Sequence, residues 1–550
     1  MNKKNIINIS AILFFLLILN SAGEKLYKRF DITADQRYTL SEMTSDLVST
    51  IKDPLIINVY LEGEFPAEFK RLQIETRQFL DELKSLNKNI HFQFINPDNS
   101  REKLIKKGMI PSQLTNQDEG KITETIIFPW AEISYRNKRE NVSLLSNKIF
   151  KNQESKLQDA VEKLEYSFAI HISSLLKSKK PSIAVLSGNG ELDDLYLYSF
   201  LSTIKNKYKL AKFTLDSVQK KPKETLNDLK SYDLALIAKP TQRFTEKEKF
   251  VLDQYIANGG KSIWMIDNNF SDTDSLYNEG KMMAFPRDLN LTDLLFNYQI
   301  RINNKLIQDL YSAKIPLATG NIGKQTQFQH LNWFYNPLVN GNPNHSITKN
   351  ISPVKFEFAT QIDILKGDIK KTPLLVSSGL TKKIGTPTFI ELNNIAEKPK
   401  QNEYKAGPQI FAILLEGKFP SAYKNRTKPF HTTDNFVEES TDNKMIVISD
   451  GDIAKNQILK GKPHDLEMDK WTGAIYGNKE FLLNSVDYLL NESELISLRN
   501  KTLRINLIDK KKAFNEKRNW QLLNIIMPIT LLIIFALAFN YLRKRRYSKI

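Results

Sequence analysis

Apolar positions along this chain switch between two rhythms, one near every second residue and one near about 3.6, and the switches mark its elements. "PLIINVYL" (54–61) and "NIHFQFINP" (89–97) read as strands. Between them, residues 67–86 place Phe69, Leu72, Ile74, Phe79, Leu80, Leu83 and Leu86 at helical spacing. Upstream, "SEMTSDLVSTI" (41–51) predicts a helix with Thr33 or Ser41 as its cap. A short helix near 101–107, antiparallel strands in "TETIIFPWAEISY" and "ENVSLL", and one amphipathic run from Gln153 to Leu176 complete this part. From residue 179 the alternation is regular, with strands at 182–187, 209–215, 233–239 and 262–267 and helices at 194–206, 223–230 and 245–260. Thr245 and Glu248 form a capping box for the last of these helices, and Gly259-Gly260 ends it. Residues 270–360 keep no steady period and are rich in Asn and aromatic side chains; strands resume at 371–378, 409–417 and 444–452.

These patterns predict an α/β protein with two different domains. The first, residues 29–178, has the order β-α-β-α-β-β-α of a thioredoxin-like domain. Where such a fold carries a redox Cys pair, this chain has "LEGE", Leu61 to Glu64, so only the scaffold is expected. The second, residues 179–505, alternates short apolar strands with helices, which argues for a doubly wound, amidotransferase- or flavodoxin-like parallel sheet with additional strands.

Both ends of the chain carry long apolar runs. "LLNIIMPITLLIIFALAFNYL" (522–542) has no charge and is long enough to cross about 30 Å of hydrocarbon as a helix. Trp520 and Tyr541 flank it as interface aromatics, a basic segment (506–521) precedes it and a basic tail (543–550) follows. Residues 1–28 contain a second apolar run behind Lys3 and Lys4, with Ser21-Ala22-Gly23 as small residues suited to cleavage. A retained anchor and a removed signal both fit; we expect the anchor. Basic residues flank the C-terminal helix on both sides, so charge alone does not orient the chain.

Composition narrows the chemistry. The chain has 550 residues, no cysteine and a formal charge of +17. Disulfides, thiolate catalysis and zinc–thiolate sites are therefore excluded. The 79 Lys and Arg residues are spread along the chain among 62 acids, which describes a solvated surface rather than a nucleic-acid face.

The stretch most like a chemical motif is "AVLSGNGELDD" (184–194). Gly188 and Gly190 fit the first two glycines of a dinucleotide loop, but Asp193 stands at the third, and Glu191 and Asp194 would repel a polyphosphate. Asn189, Gly190 and Glu191 remain candidates for touching a ligand or a partner; the plain alternative is a tight strand-to-helix turn. Asp450 and Asp452 in "SDGD" end a strand and could hold a divalent cation if Asp465 or Glu467 came near, though Asp-Gly-Asp is also an ordinary turn. Trp333 and Tyr335 could line a carbohydrate or peptide groove, or pack inside a core. The six histidines form no metal-ligand spacing, and no serine or cysteine elbow is complete. No catalytic residue and no cofactor is expected.

Seven pieces in order between residues 29 and about 505, among them "RFDITADQRYTLS", "SGNGE", "QYIANGGKSIWMID", "AILLEGKFPSAYKNR" and "MIVISDGDIAKNQ", resemble the auxiliary, or substrate-binding, component of gliding-motility ABC transporters, GldG. The resemblance implies a non-catalytic subunit tethered in the inner membrane by two passes, its bulk in the periplasm. It also implies a separate permease and a separate ATPase as partners, an envelope ligand still to be identified, and no nucleic acid. The competing expectation is a membrane-anchored envelope hydrolase or metal-dependent enzyme built on Asp450 and Asp452.

Overall fold

The computed structural model describes residues 39–63, 67–118, 121–145, 153–177, 179–322, 325–396, 398–431, 436–492 and 510–547. The expected N-terminal membrane segment lies outside the described residues. The chain divides into two compact units: 38–501, and the two ends together (1–37 with 502–550).

In the larger unit, α1 (Glu42–Ser49) begins at Ser41, whose hydroxyl accepts the Thr44 N–H. Strands β1 (Leu55–Val59) and β2 (Ile90–Phe94) run parallel and are joined by α2 (Ala67–Leu86). The short α3 (Arg101–Lys106) leads into the hairpin β3 (Ser112–Asp118) and β4 (Lys121–Ile127). β5 (Trp130–Tyr135) and β6 (Lys138–Ser143) extend the first sheet in the order β2-β1-β5-β6, with β5 antiparallel to β1. The run expected as one helix is two, α4 (Gln153–Glu162) and α5 (Leu164–Leu176), broken where Lys163 leaves helical geometry. α5 is buried through Phe168, Ala169 and Ile172, and Phe168 packs on Phe79 of α2 at 5.3 Å.

A seven-stranded sheet follows. Its parallel members are β7 (Ser182–Ser187), β8 (Lys209–Thr214), β9 (Leu234–Ala238), β10 (Lys261–Met265) and β22 (Glu439–Ile448). Helices α6 (Asp194–Ile204), α7 (Pro222–Lys230) and α8 (Glu246–Ala257) connect the first four, and α11 (Asn478–Asp487) follows the last. Across the sheet the order is β18-β21-β22-β10-β9-β7-β8, with β18 (Lys370–Val376) and β21 (Ile410–Pro420) antiparallel at one edge. Burial on both faces explains the unbroken apolar strands. Ala184, Leu186, Ile237, Trp264 and Val447 point into one core, whereas Ile183, Val185, Leu236, Ile263 and Ile448 point into the other. The α5 end of the first domain meets this one at Asp487, which accepts from Tyr208 at 2.7 Å and from Tyr166 at 3.4 Å.

Residues 270–360, which looked irregular, are about half strand, and the same small sheets continue to residue 391. β11 (Asn269–Phe270), β12 (Lys281–Pro286), β13 (Ile300–Asp309), β14 (Ser312–Ile322), β15 (Gln325–Val339), β16 (Val354–Lys355), β17 (Thr360–Ile364), β19 (Thr381–Ile384) and β20 (Thr388–Glu391) form three small sheets, and the short helices α9 (Thr273–Glu279) and α10 (Thr292–Asn297) lie between their strands in sequence. Register shifts between Ile302 and Leu306, and between Ala318 and Gly320, break the two-residue period.

In the other unit, α12 (Lys510–Tyr547) contains Glu516–Arg545, 30 residues with mean hydropathy 2.6 in its most apolar window, long and apolar enough to cross a membrane.

Candidate functional site

The parallel strands end in the same direction, so the first polar residues after each meet along one edge of the sheet. After β9 comes Lys239, after β10 Asp267, and after β22 the turn Ser449-Asp450-Gly451-Asp452. Lys239 adopts a left-handed backbone with φ 55°, which is uncommon for a residue with a side chain. Its Nζ lies 2.5 Å from Asp452 Oδ2 and 3.4 Å from Asp267 Oδ2. Gly451 makes room for it: a Cβ there would stand 2.6 Å from Lys239 Cγ. Asp450 is fully buried and ties the turn together, accepting the Asp452 N–H and the Glu357 N–H, each at 2.7 Å. Asp267 Oδ1 accepts the Gly451 N–H at 2.5 Å.

Carboxylate oxygens of Asp267, Asp450 and Asp452 lie within 4.8 Å of one another. Three hard oxygen donors so arranged suit Mg²⁺ or Ca²⁺. The Lys239 ammonium contacts two of the three and supplies positive charge where such an ion would. Burial pushes Asp267 above its ordinary value, with Lys239 opposing. Burial, and then Asp267 and Asp452, push Asp450 well up. For Lys239 burial favours the neutral amine, but Asp452 and Asp267 outweigh it and hold the ammonium above its usual range.

A second layer of charge lies beside the first. Lys355 Nζ meets Glu357 Oε1 at 2.8 Å; burial opposes ionisation of Glu357, yet Lys355 prevails and draws the carboxyl down to about 2. Asn478 holds this pair's backbone, donating to Lys355 O at 2.7 Å and accepting from Lys355 N at 2.9 Å. Lys455 lies 3.8 Å from Asp452 Oδ1 and 3.6 Å from Asp274. Above these charges opens a cavity of about 390 Å³, walled by Tyr196, Tyr277, Phe328 and Trp471 and reaching down to Glu357 and Asp452. Asp469 fixes the Trp471 loop by accepting the Trp471 and Thr472 N–H groups at 3.1 and 2.8 Å.

Of the residues singled out from sequence, Asp452 lines this cavity, and Asp450 lies beneath it beside the smaller cleft that shares Asp452. Asp465 also borders that cleft but pairs with Lys479 at 3.1 Å; the third acid within reach is Asp267. Asn189, Gly190 and Glu191 lie at the end of β7, folded onto the loop after β9. Asn189 O accepts the Thr241 and Gln242 N–H groups, each at 2.9 Å, and Glu191 accepts the Asn189 N–H at 2.8 Å. Burial raises Glu191 above its ordinary value. Trp333 and Tyr335 lie inside a small core with Ile315 and Phe358, their rings 5.3 Å apart. Sequence reasoning missed Lys239, Asp267, Lys355, Glu357, Asn336 and Trp471. Strand-end position could have flagged Lys239 and Asp267; nothing local distinguishes the others.

Against known proteins, residues 180–485, more than half of the chain, match the family of ABC transporter auxiliary domains described as "ABC-type uncharacterized transport system". Residues 34–134 match a domain of unknown function, DUF7088. An uncharacterized protein of Borreliella burgdorferi is 22% identical over 562 positions, spanning 99% of each chain. Among solved structures, the mmIFT52 N-terminal domain aligns over 56% of this chain and 97% of its own, with 13% identity and a TM-score of 0.32. The chain therefore belongs to the ABC-type uncharacterized transport system family of ABC transporter auxiliary proteins.

Proposed function

We propose that this protein is a non-catalytic, membrane-tethered subunit of an ABC transport system that holds a ligand for, or docks upon, a separate permease driven by a separate ATPase. The observation that carries this reading is the coincidence of the family-matched region with the sheet edge bearing the cavity. Its buried ionised groups are paired with one another: Lys239 with Asp452 and Asp267, Lys355 with Glu357. General acid–base work needs a group free to exchange a proton with substrate near neutral pH, and pairs of this kind are poorly suited to it.

The finer parts of the proposal rest on separate supports. The order β2-β1-β5-β6, with β5 antiparallel to β1, supports a thioredoxin-like scaffold for the first domain, and the order β8-β7-β9-β10-β22 supports a flavodoxin-like second one. The apolar helix Glu516–Arg545 supports a C-terminal tether. A second anchor at residues 1–28, a periplasmic location for the bulk and a role in gliding motility follow from the resemblance to GldG.

Purification through an affinity tag on the full chain, from gently solubilised membranes, tests the reading. Recovery of an ABC ATPase and a polytopic permease in constant proportion is the expected result. Recovery of neither, with the tagged chain intact and folded, counts against it.

A further inference from the structure

We propose that the cavity above the Lys239–Asp267–Asp452 cluster binds an uncharged, hydroxyl-rich ligand of the saccharide class. This deepens the reading of the chain as a ligand-handling transport subunit and rests on it. Three observations carry it.

First, two buried acceptors of the cavity wall have no donor. Asn336 Oδ1 and Asp452 Oδ1 are buried oxygens without a hydrogen-bond partner among the described residues, and both residues line the cavity. Asn336 is 1% exposed, and the Asp452 side chain 8%. Lys455 reaches only to 3.8 Å of Asp452 Oδ1, beyond hydrogen-bond range. An orphaned buried acceptor is costly, and a ligand relieves it only by bringing O–H or N–H groups.

Second, the ammonium groups beneath the cavity already have carboxylate partners. Lys239 serves Asp452 and Asp267, Lys355 serves Glu357, and Lys455 serves Asp452 and Asp274. An anionic ligand such as phosphate would bring its charge against the Asp452 carboxylate, with only one or two P–OH groups to offer the two oxygens. A cationic ligand would have to displace an ammonium held at 2.5–3.8 Å from its carboxylates. A neutral donor escapes both penalties.

Third, the mouth carries flat apolar walls. Phe328 and Trp471 are 57% and 51% exposed, with ring centroids 6.4 Å apart, and Tyr196 and Tyr277 stand further along the lining. Aromatic faces over a polar floor match a sugar ring, which presents C–H groups on its faces and hydroxyls around its edge. The cavity's size is at the lower end of the range of small-ligand pockets.

The test uses the full chain in lipid nanodiscs, because sugar-based detergents would compete. Tryptophan fluorescence and saturation-transfer NMR are recorded against a panel of neutral mono- and disaccharides, including N-acetylated ones. Inorganic phosphate, a linear diamine and an uncharged tripeptide serve as the other probes. Saturable binding of a neutral saccharide at about 1 mM or tighter is expected. Trp471→Ala, at the exposed mouth, should weaken it at least about tenfold, as should Asn336→Leu, whereas Asn336→Gln should retain more than the leucine variant. Should Asn336→Leu fail to fold, the Trp471 variant and NMR contacts to the sugar C–H face carry the test. Absence of binding across the saccharide panel, preference for phosphate, diamine or tripeptide, or binding indifferent to Trp471 would overturn the proposal. Co-purification of ATPase and permease is a separate readout: their recovery without saccharide binding removes only the ligand assignment, and saccharide binding without their recovery removes only the transport reading.

Discussion

Replacing Lys239 by Met removes the one ammonium that touches both Asp452 and Asp267 while keeping much of the aliphatic stem. At an effective dielectric of about 20, contacts of 2.5 and 3.4 Å correspond to roughly 5–7 kcal/mol of gross attraction each. Desolvation of the three groups takes back most of that sum, so the intact cluster adds little net stability. Breaking it is different, because the carboxylates stay buried without compensation. A loss of about 3–5 kcal/mol is expected, a fall of roughly 5–8 °C in melting temperature for a domain of this size. The sign of the pH dependence follows from the acids. Asp267 and Asp450 are raised above their ordinary values, so their ionisation in the folded state is a cost that exists above the unfolded carboxyl pKa. Without Lys239 the cost grows, so the deficit should be full at neutral pH and shrink as pH falls through the raised carboxyl range. Urea unfolding of the full chain, followed through the buried Trp264 on β10, reads both quantities. Millimolar Mg²⁺ or Ca²⁺ should stabilise the variant more than the parent, since the three oxygens then face an ion in place of the amine. A loss under about 1 kcal/mol that does not vary with pH would refute the account of a buried, charge-compensated cluster.

Two other perturbations probe neighbouring features. Glu357 is drawn down to about 2 from 4.5, so its contribution is complete above about pH 4.5 and is lost as pH falls toward 2. Acid titration of stability should show up to about 3 kcal/mol lost across that window, and Glu357→Gln should flatten the curve there. At Gly190, φ is +73° and a Cβ would stand 2.0 Å from Thr241 Oγ1. Gly190→Ala should cost about 2 kcal/mol in urea unfolding, and adding Thr241→Ala should return the steric part but not the backbone part.

The central parallel strands were legible because both faces of their sheet are buried, which makes apolar runs of β7 and β9 and of the C-terminal ends of β10 and β22. Helix α8 was legible through its caps, and the Thr245–Glu248 box forms as read. The strands from β11 to β20 were not, because bulges interrupt the pleat and exposed stretches such as Gln327–His330, with Phe328 turned to solvent, do not alternate between a buried and an open face. The site divides the same way. Asp450 and Asp452 were visible as acids ending a strand, but their meaning depends on Lys239, 211 residues before the first of them (450 − 239), and that pairing follows from sheet order alone. Lys355 and Glu357 come from the part with no readable period, beside the two-residue strand β16.

The arrangement of charge along the sheet edge bears on function more directly than any single residue. Carboxylates gathered where parallel strands end could serve catalysis, metal binding or support, and the three uses demand different partners. Catalysis needs one group poised to exchange its proton, and metal binding needs oxygens turned toward a shared centre without a competing ammonium. Here Lys239 stands within 3.4 Å of two of the acids, Glu357 is locked to Lys355, and Asp450 spends its oxygens on backbone N–H groups. Among the described residues that line the cavity, the unpartnered buried oxygens are Asn336 Oδ1 and Asp452 Oδ1, in the same cavity as the rings of Phe328 and Trp471. Those rings come from the β14–β15 hairpin and from the loop that Asp469 pins, elements far apart in sequence. A ligand spanning the cavity would touch both elements and the rigid charged floor at once. Such contacts would bias how the hairpin and the loop lie above the sheet, so that the two arrangements differ in their affinity for the ligand.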